Sequence, residues 1–198
     1  MSDALPLVAE LEGATGVMRP GREVLARHLS DMTETYEDQA AVAAVLANGE
    51  DPLIYEAYEP EGDPPGAPGE LVFRTTVIHP GTIGDEYFMT YGHDHVRASG
   101  EVYLGLAGHG QIIMQKPDGR AQTAALSPGS CVNVPVGWSH RTMNDADEPF
   151  VFLAVFLADA GHDYAWVPAH GFVARLNRGP NGPQWSPPLP VAGPGAVI

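Results

Sequence analysis

Residues 92–101 read Gly92-His93-Asp94-His95-Val96-Arg97-Ala98-Ser99-Gly100-Glu101, and residues 129–140 read Gly129-Ser130-Cys131-Val132-Asn133-Val134-Pro135-Val136-Gly137-Trp138-Ser139-His140. On an extended strand, side chains two residues apart point to the same face, so His93 and His95 can bind one ion. Glu101 begins an alternating segment, and on an antiparallel partner strand its carboxylate can face the same side. His140 lies forty-five residues after His95 and can complete the group from a strand packed opposite. The two segments therefore predict β-structure around a metal site.

The composition of this group indicates which metal it would hold. Three imidazoles and one carboxylate suit one divalent transition metal ion, such as Fe, Mn, Ni or Zn, with one or two positions left for water or substrate. A single histidine in a strand is more often structural than a ligand, and the chain has eight histidines. Four groups at this spacing are a stronger indication than one. The predicted metal ligands are His93, His95, Glu101 and His140.

The same segments resemble the two signatures of the cupin family. The matching residues are His93-x-His95, Glu101 and Gly108, followed by Gly129, Pro135-x-Gly137, His140 and Asn144. Five residues separate His95 from Glu101, where the family usually has three or four, and the small residues between them can absorb the extra length. The resemblance implies an all-β fold, a single-domain jelly-roll β-barrel. No second copy of the histidine motif is present, so one barrel is expected.

The rest of the chain fits this organisation. Its 198 residues suit one domain, which we divide into an N-terminal strand and helix extension packing on the barrel (1–70), the barrel with the metal site (71–176) and a Pro/Gly-rich tail (177–198). Short β-like segments separated by turn residues predict strands at 71–77, 86–91, 101–106, 111–115, 121–126, 131–134, 140–144 and 150–156.

The two ends of the chain are predicted separately. Residues 38–47 open on a capping aspartate and predict a helix, residues 53–58 predict a strand, and residues 59–69 an exposed loop. Residues 22–29 fit a short helix or a strand equally well. The tail has six prolines and four glycines in 22 residues, so we expect it to wrap the surface or be partly disordered, without an inner strand.

Charge and composition exclude several kinds of partner. The formal net charge is −15 and only ten residues are Lys or Arg, which argues against nucleic-acid binding. No apolar segment is long enough to cross a membrane. The N-terminal residues lack the pattern of a secretory signal, and the one cysteine, Cys131, is expected to be a buried structural thiol. We expect a cytoplasmic protein whose anionic ligands are bound by local groups.

A longer resemblance concerns the reaction. The residues read Thr75-Thr76-x3-Pro80-Gly81-x2-Gly84-x-Glu86-Tyr87-Phe88-x-Thr90-x-Gly92-His93-x-His95, and the pattern is similar to the cupin-type glucose-6-phosphate isomerases. It also includes Leu29-Ser30-Asp31-Met32 and Asp51-Pro52-x2-Tyr55-Glu56-x-Tyr58 before this segment, and Trp138-x-His140-Arg141-Thr142-x-Asn144 and Asp159-Ala160-Gly161-His162-Asp163-Tyr164 after it. The similarity thus covers about residues 29–176. This resemblance implies metal-dependent interconversion of glucose 6-phosphate and fructose 6-phosphate, and a homodimer.

The resemblance also implies roles for individual residues. Glu101 is the candidate base, with a hydride shift between C1 and C2 as the alternative. The phosphate-binding group falls on Thr76, Thr90 and Gly92, with Tyr55 nearby. The remaining catalytic candidates are Tyr103, two residues after Glu101 on the same strand face, and His162 and Tyr164, for ring opening or for positioning sugar hydroxyls.

Four positions differ from the family pattern: Tyr91 replaces a basic residue, Asp94 an aromatic residue, Gly137 an aromatic residue and Phe156 a tyrosine. These differences bear on the identity of the substrate more than on the metal site. Two alternatives stay open. One is a cupin Fe(II) oxygenase, and the other is a non-catalytic cupin that binds a sugar or a metal.

Overall fold

The computed structural model describes residues 6–62 and 68–190. The strands in these ranges are β1 (Glu10–Leu11), β2 (Met18–Arg19), β3 (Gly21–His28), β4 (Leu53–Pro60), β5 (Leu71–Ile78), β6 (Thr82–Ile83), β7 (Glu86–Tyr87), β8 (Asp94–His95), β9 (Glu101–Ala107), β10 (Gly110–Gln115), β11 (Ala121–Leu126), β12 (Cys131–Val134), β13 (Ser139–Met143), β14 (Phe150–Leu157), β15 (His162–Asp163), β16 (Arg175–Gly179) and β17 (Gly182–Ser186). The helices are α1 (Gln39–Ala47) and α2 (Trp166–His170), with 3-10 turns at Leu29–Asp31 and Thr33–Thr35. The predicted all-β class is confirmed.

The larger layer is a six-stranded antiparallel sheet with the strand order β12-β9-β14-β5-β4-β3. On β5, Thr76 lies opposite Phe152 of β14 and Ala57 of β4. Residues that lie opposite each other in antiparallel strands point to the same face, so alternate residues of these strands form rows across the sheet. The N-terminal strands β3 and β4 are thus part of the same sheet as the predicted barrel strands, and residues 22–29 form mainly a strand.

The second layer is the three-stranded sheet β11-β10-β13, continued by the strand pair β15-β8. An antiparallel bridge between His93 and His140 joins the two parts. Fully buried side chains of both layers, such as Ile78 and Phe150 of the larger sheet and Ile112 of the smaller one, form one apolar cluster. Burial of this surface is the main stabilising contribution and holds the two layers face to face.

The C-terminal segment differs from its prediction. Strand β16 lies between β17 and β7 in a four-stranded sheet, so residues 177–186 contain an inner strand, and the expectation that they would not is wrong. The proline of this hairpin that lies within a strand, Pro183, is on the edge strand β17, where a missing N–H is tolerated. Residues 191–198, the rest of the predicted tail, lie outside the described residues.

Helix α1 follows the sequence signals closely. The Asp38 side chain accepts a hydrogen bond of 2.9 Å from the backbone N–H of Ala41, which is the N-terminal cap. The helix ends at Ala47, and its C-terminal cap Asn48 is followed by Gly49 with φ of 78°. Of the predicted strand 86–91, only Glu86–Tyr87 is a strand, and Met89 makes an isolated bridge to Met143. The three-part division of the chain stays a prediction, and residues 1–5 and 63–67 lie outside the described ranges.

Two further expectations concern the surface. Neither helix in the described residues is long and apolar enough to cross a membrane. Cys131 is exposed, so the expectation of a buried thiol is wrong. It lies at the start of the edge strand β12, whose alternation buries Val134 instead.

Candidate metal centre and adjoining cavity

The four predicted metal ligands meet between the two layers. His95 lies on β8, and His93 directly precedes this strand and pairs with His140 of β13. Glu101 begins β9 in the opposite sheet. Strand β9 pairs with β12 and β14, so the expectation that Glu101 faces the histidines from a paired strand is wrong. The carboxylate reaches them across the interior, because β8 and β9 belong to facing layers.

The geometry of this group fits one metal ion. One ligand atom from each of the four residues lies within 4.8 Å of all the others. Glu101 Oε1 is 3.8 Å from His93 Nε2 and 3.7 Å from His95 Nε2, and it contacts His140 Nε2. All three Nε2 atoms are buried and lack a hydrogen-bond partner among the described residues. Buried polar atoms are nearly always paired, so three unpaired nitrogens around one carboxylate indicate a cation site.

The outer hydrogen bonds of two histidines orient them for this purpose. His95 Nδ1 is 2.8 Å from the carbonyl oxygen of Ser99, and His140 Nδ1 is 3.1 Å from the carbonyl oxygen of Trp138. A carbonyl only accepts, so each Nδ1 carries the hydrogen and donates it. The lone pair of Nε2 then points to the common centre, which is the tautomer a metal ligand needs.

The Glu101 carboxylate favours a cation at the centre, and the pKa values of His93 and His140 shift in opposite directions. Burial lowers the pKa of His93 well below its usual value, and the neighbouring His140 lowers it further. Burial also opposes a charge on His140, but Glu101 outweighs this effect and raises the pKa of His140. The carboxylate therefore attracts a cation to a place where His93 stays neutral and able to coordinate.

A cavity opens beside the metal centre on the inner face of the larger sheet. It is lined by the predicted residues Tyr55, Thr76, Thr90, Gly92, His93, Glu101, Tyr103, His162 and Tyr164. The other lining residues are Leu25, Ala57, Arg74, Phe152, Ala154 and Phe156. The structure thus brings together every predicted catalytic and substrate-binding residue.

Two lining residues come from the segment that leads into the first histidine. The N–H of Thr142 donates to Thr90 Oγ1 at 3.1 Å, which leaves the hydroxyl hydrogen of Thr90 available to a ligand. Gly92 has φ of 81°, and a Cβ there would lie 2.9 Å from the Phe172 ring and 3.1 Å from the carbonyl oxygen of His140. Only glycine fits this conformation and this space without strain.

Tyr103 acts on the metal centre from within the cavity. Its hydroxyl donates a hydrogen bond of 3.0 Å to Glu101 Oε1, and both side chains are buried. Burial raises the pKa of Tyr103 well above its usual value, and the Glu101 charge adds to the effect. Tyr103 is therefore a neutral donor that holds the carboxylate in place.

His162 and Tyr164 form the wall next to the histidines. His162 lies opposite His95 in the β8–β15 pair, and its ring centroid is 4.4 Å from that of His93. The ring of His162 stacks on Tyr164 at 5.8 Å with an interplanar angle of 12°. Burial lowers the pKa of His162 to about 4, so this imidazole is neutral near pH 7 and can donate one hydrogen bond and accept another.

Arg74, which was not predicted from the sequence, also lines the cavity. The signal was present, because Arg74 and Thr76 lie two residues apart on one strand and share a face. Phe156, noted as a difference from the family pattern, lies between Arg74 and His162. Its ring centroid is 5.7 Å from the guanidinium carbon of Arg74 and 5.4 Å from the His162 ring.

The model of the family Glucose-6-phosphate isomerase (GPI) matches residues 26–182. The chain belongs to this family. Among its relatives are the glucose-6-phosphate isomerases of Thermococcus onnurineus and Pyrococcus furiosus, each 42% identical over 168 residues. The match covers 84% of this chain and 86% and 87% of the two relatives. The glucose-6-phosphate isomerase of Sinorhizobium medicae is 33% identical over 167 residues, covering 84% of this chain and 77% of the relative. The resemblance to the isomerase family is confirmed.

Two solved structures show a distant likeness to this chain. An oxalate decarboxylase of Lactobacillus farciminis in complex with formate has a TM-score of 0.44 and 21% identity, covering 56% of this chain and 30% of that one. An oxalate oxidase in complex with glycolate has a TM-score of 0.42 and 13% identity, covering 49% of this chain and 47% of that one. Neither likeness bears on the reaction of this isomerase family member.

Proposed function

We propose that this protein is a metal-dependent aldose–ketose isomerase that interconverts glucose 6-phosphate and fructose 6-phosphate. The observation that carries the proposal is a cavity lined by the proposed phosphate-binding residues and by His93 and Glu101, two members of the group of four candidate metal ligands. Family membership over residues 26–182 supports the choice of reaction.

The ligands that would hold the metal are His93, His95, Glu101 and His140. A divalent transition metal bound there would supply a Lewis acid for the oxygen atoms on C1 and C2 of an open-chain sugar. Imidazole-rich sets accept Fe, Mn, Ni or Zn, so the donor set narrows the metal to this class.

The chain's own residues account for binding and proton handling. Isomerisation moves one hydrogen between C1 and C2, and the Glu101 carboxylate is the group placed to take and return a proton. Its position is maintained by the Tyr103 hydroxyl at 3.0 Å. The neutral pair His162 and Tyr164 would bind sugar hydroxyls, since each offers a hydrogen-bond donor and an acceptor without adding charge.

The phosphate group would lie against Tyr55, Thr76, Thr90 and Gly92. Hydroxyls and a glycine N–H can donate several hydrogen bonds to a dianion in a small space. Thr76 and Tyr55 come from the larger sheet, whereas Thr90 and Gly92 come from the segment before β8. A ligand held by all four would therefore bridge the two layers.

The deciding experiment is a coupled assay with fructose 6-phosphate on metal-stripped protein reloaded with Fe²⁺, Mn²⁺, Ni²⁺ or Zn²⁺. We expect isomerisation to be lost on stripping and restored by at least one metal. If no metal restores it above the buffer rate, the isomerase proposal fails. Oxygen consumption would instead support the oxygenase, and bound sugar without turnover would support the binding protein.

The edge strands of the larger sheet bear on the oligomeric state. We propose a homodimer in the cytoplasm, since the edge strands β3 and β12 of the larger sheet can pair with a second copy. Sedimentation equilibrium should give twice the chain mass of 21.0 kDa, and a monomer at micromolar concentration would contradict the dimer.

A further inference from the structure

A row of alternating charges crosses the N-terminal half of the larger sheet and ends at the cavity. Glu59 on β4 accepts hydrogen bonds from Arg22 Nη2 on β3 at 2.6 Å and from Arg74 Nη2 on β5 at 2.9 Å. The Glu59 side chain is 9% exposed, whereas Arg22 is 66% and Arg74 29% exposed. One carboxylate cannot neutralise two guanidinium groups, so the row keeps a net positive charge.

The two arginines differ in what they face. Arg74 lines the cavity, and Arg22 does not. Glu59 occupies only Nη2 of Arg74, and Arg74 Nε is buried without a hydrogen-bond partner among the described residues. The guanidinium group lies against the Phe156 ring, with 5.7 Å to the centroid. Glu59 and Phe156 thus hold Arg74 at the cavity wall without using up its donors.

Arg74 is also the one lysine or arginine among the described residues that line the cavity. Thr76, one of the proposed phosphate-binding residues, follows Arg74 by two residues on the same strand face.

The proposed phosphate-binding residues alone do not distinguish a phosphate from a sugar hydroxyl. Tyr55, Thr76, Thr90 and Gly92 offer neutral donors, which bind both kinds of oxygen. A chain with a net charge of −15 repels a dianion at long range. A fixed positive charge inside the cavity is what favours the dianion over a neutral sugar, and a charged hydrogen bond contributes more than a neutral one.

We propose that Arg74 determines the specificity of this cavity for a phosphorylated sugar over the neutral sugar, and that Glu59 positions it. The inference rests on the proposed function, since it names the residue that recognises the charge of the same substrate. Arg74 acts on binding, so its removal should raise KM much more than it lowers kcat.

The test compares Arg74→Gln with Arg22→Gln. Both variants remove one of the two arginines on Glu59, but only the first changes the cavity. For Arg74→Gln we expect KM for fructose 6-phosphate and the Kd of inorganic phosphate to rise roughly 10- to 100-fold, the effect of losing a charged hydrogen bond. For Arg22→Gln both values should stay as in the wild type. Arg74→Lys, which keeps the charge, should recover most of the affinity.

Several results would overturn the inference. They are an unchanged phosphate Kd in Arg74→Gln, or equal effects of the two glutamine variants. If Arg74→Gln does not fold because Glu59 is left half-paired, the double variant Glu59→Gln/Arg74→Gln restores a neutral pair. This double variant should show the same loss of phosphate affinity as Arg74→Gln. Wild-type phosphate affinity in the double variant would also refute the role of Arg74.

The two proposals can fail separately. Phosphate binding is measured by calorimetry without turnover, so a wild type that binds phosphate through Arg74 but never isomerises would refute the reaction and keep the inference. A wild type that isomerises, with Arg74→Gln unaltered in KM, would keep the reaction and refute the inference. Higher ionic strength should weaken phosphate binding in the wild type more than in Arg74→Gln, because screening acts on the charge.

Discussion

At the scale of single residues, the proposed function depends on three nitrogen atoms that surround one carboxylate. His95 shows how a hydrogen bond at Nδ1 orients the imidazole for metal binding. Its Nδ1 is occupied by the Ser99 carbonyl, so Nε2 has no role in the described structure except towards Glu101. An imidazole fixed in this way loses little entropy on binding a metal, which favours tight and specific coordination.

His95→Ala should therefore lose the bound metal. We expect elemental analysis after gel filtration to give roughly one metal per wild-type chain and less than about a tenth of that in the variant, because one of four ligands is absent. His109→Ala is the matched control, since His109 is an exposed histidine bonded to Asp145 and outside the metal group. Stoichiometric metal in His95→Ala would contradict the ligand assignment.

Gly92 is important for its backbone and for the space around it. Gly92→Ala should destabilise the protein by about 2–3 kcal/mol, from a strained positive φ together with contact against Phe172 and His140. Gly129→Ala separates these causes, because Gly129 has φ of 87° with nothing within 4 Å of the added Cβ. It should cost about 1 kcal/mol from strain alone. Urea unfolding measures both, and equal losses would show that the close contacts at Gly92 relax without cost.

At the scale of elements, one buried carboxylate contributes to the attachment of the β16–β17 hairpin to the body. Glu86 of β7 accepts two hydrogen bonds. Arg175 Nη1 donates to its Oε1 at 2.6 Å, and the backbone N–H of Glu37 donates to its Oε2 at 3.0 Å. Arg175 also donates to the Thr35 carbonyl at 2.8 Å. This network connects the hairpin to the segment before α1, so an element with little sequence signal is held by tertiary contacts.

Arg175→Ala should loosen this attachment. It leaves Glu86 buried without its charged partner, which costs about 3 kcal/mol, whereas Arg178→Ala on the exposed side of the same strand should cost less than about 1 kcal/mol. Thermal unfolding followed by circular dichroism gives the comparison. A variant at position 175 as stable as the one at 178 would mean that water replaces the arginine at Glu86.

At the scale of the whole molecule, the metal group connects the two layers. Glu101 belongs to the larger sheet and His140 to the smaller one, so a bound ion would link them directly. A ligand that binds only the folded state stabilises it by mass action. The metal centre should therefore contribute to stability as well as to reaction.

Removal of the metal should lower the melting temperature. With metal at about a hundred times its Kd the stabilisation is about 3 kcal/mol, which corresponds to roughly 5–10 °C for a chain of this size. Calorimetry with and without chelator measures it, and added metal should restore the higher value. His95→Ala should show no chelator effect, and a shift of the same size in that variant would place the responsible ion elsewhere.

Much of the site could be predicted from the sequence because its determinants are local. The alternation around His93 and His95, the spacing to Glu101 and the turn residues near His140 depend on strand geometry alone. The capped helix α1 is equally local, since Asp38 and Gly49 act within one turn of its ends. Family resemblance added Thr76, Thr90 and Gly92, which all line the cavity.

The strand-rich class, the four candidate metal ligands and the neutral donors could be predicted from the sequence, since they follow from residue types and short spacings. Three features depend on how distant strands pack together. Glu101 faces the histidines across the interior, residues 177–186 contain an inner strand, and Arg74 lines the cavity while paired with Glu59. Strand pairing between distant segments sets these relations, and no local propensity encodes which strands become neighbours.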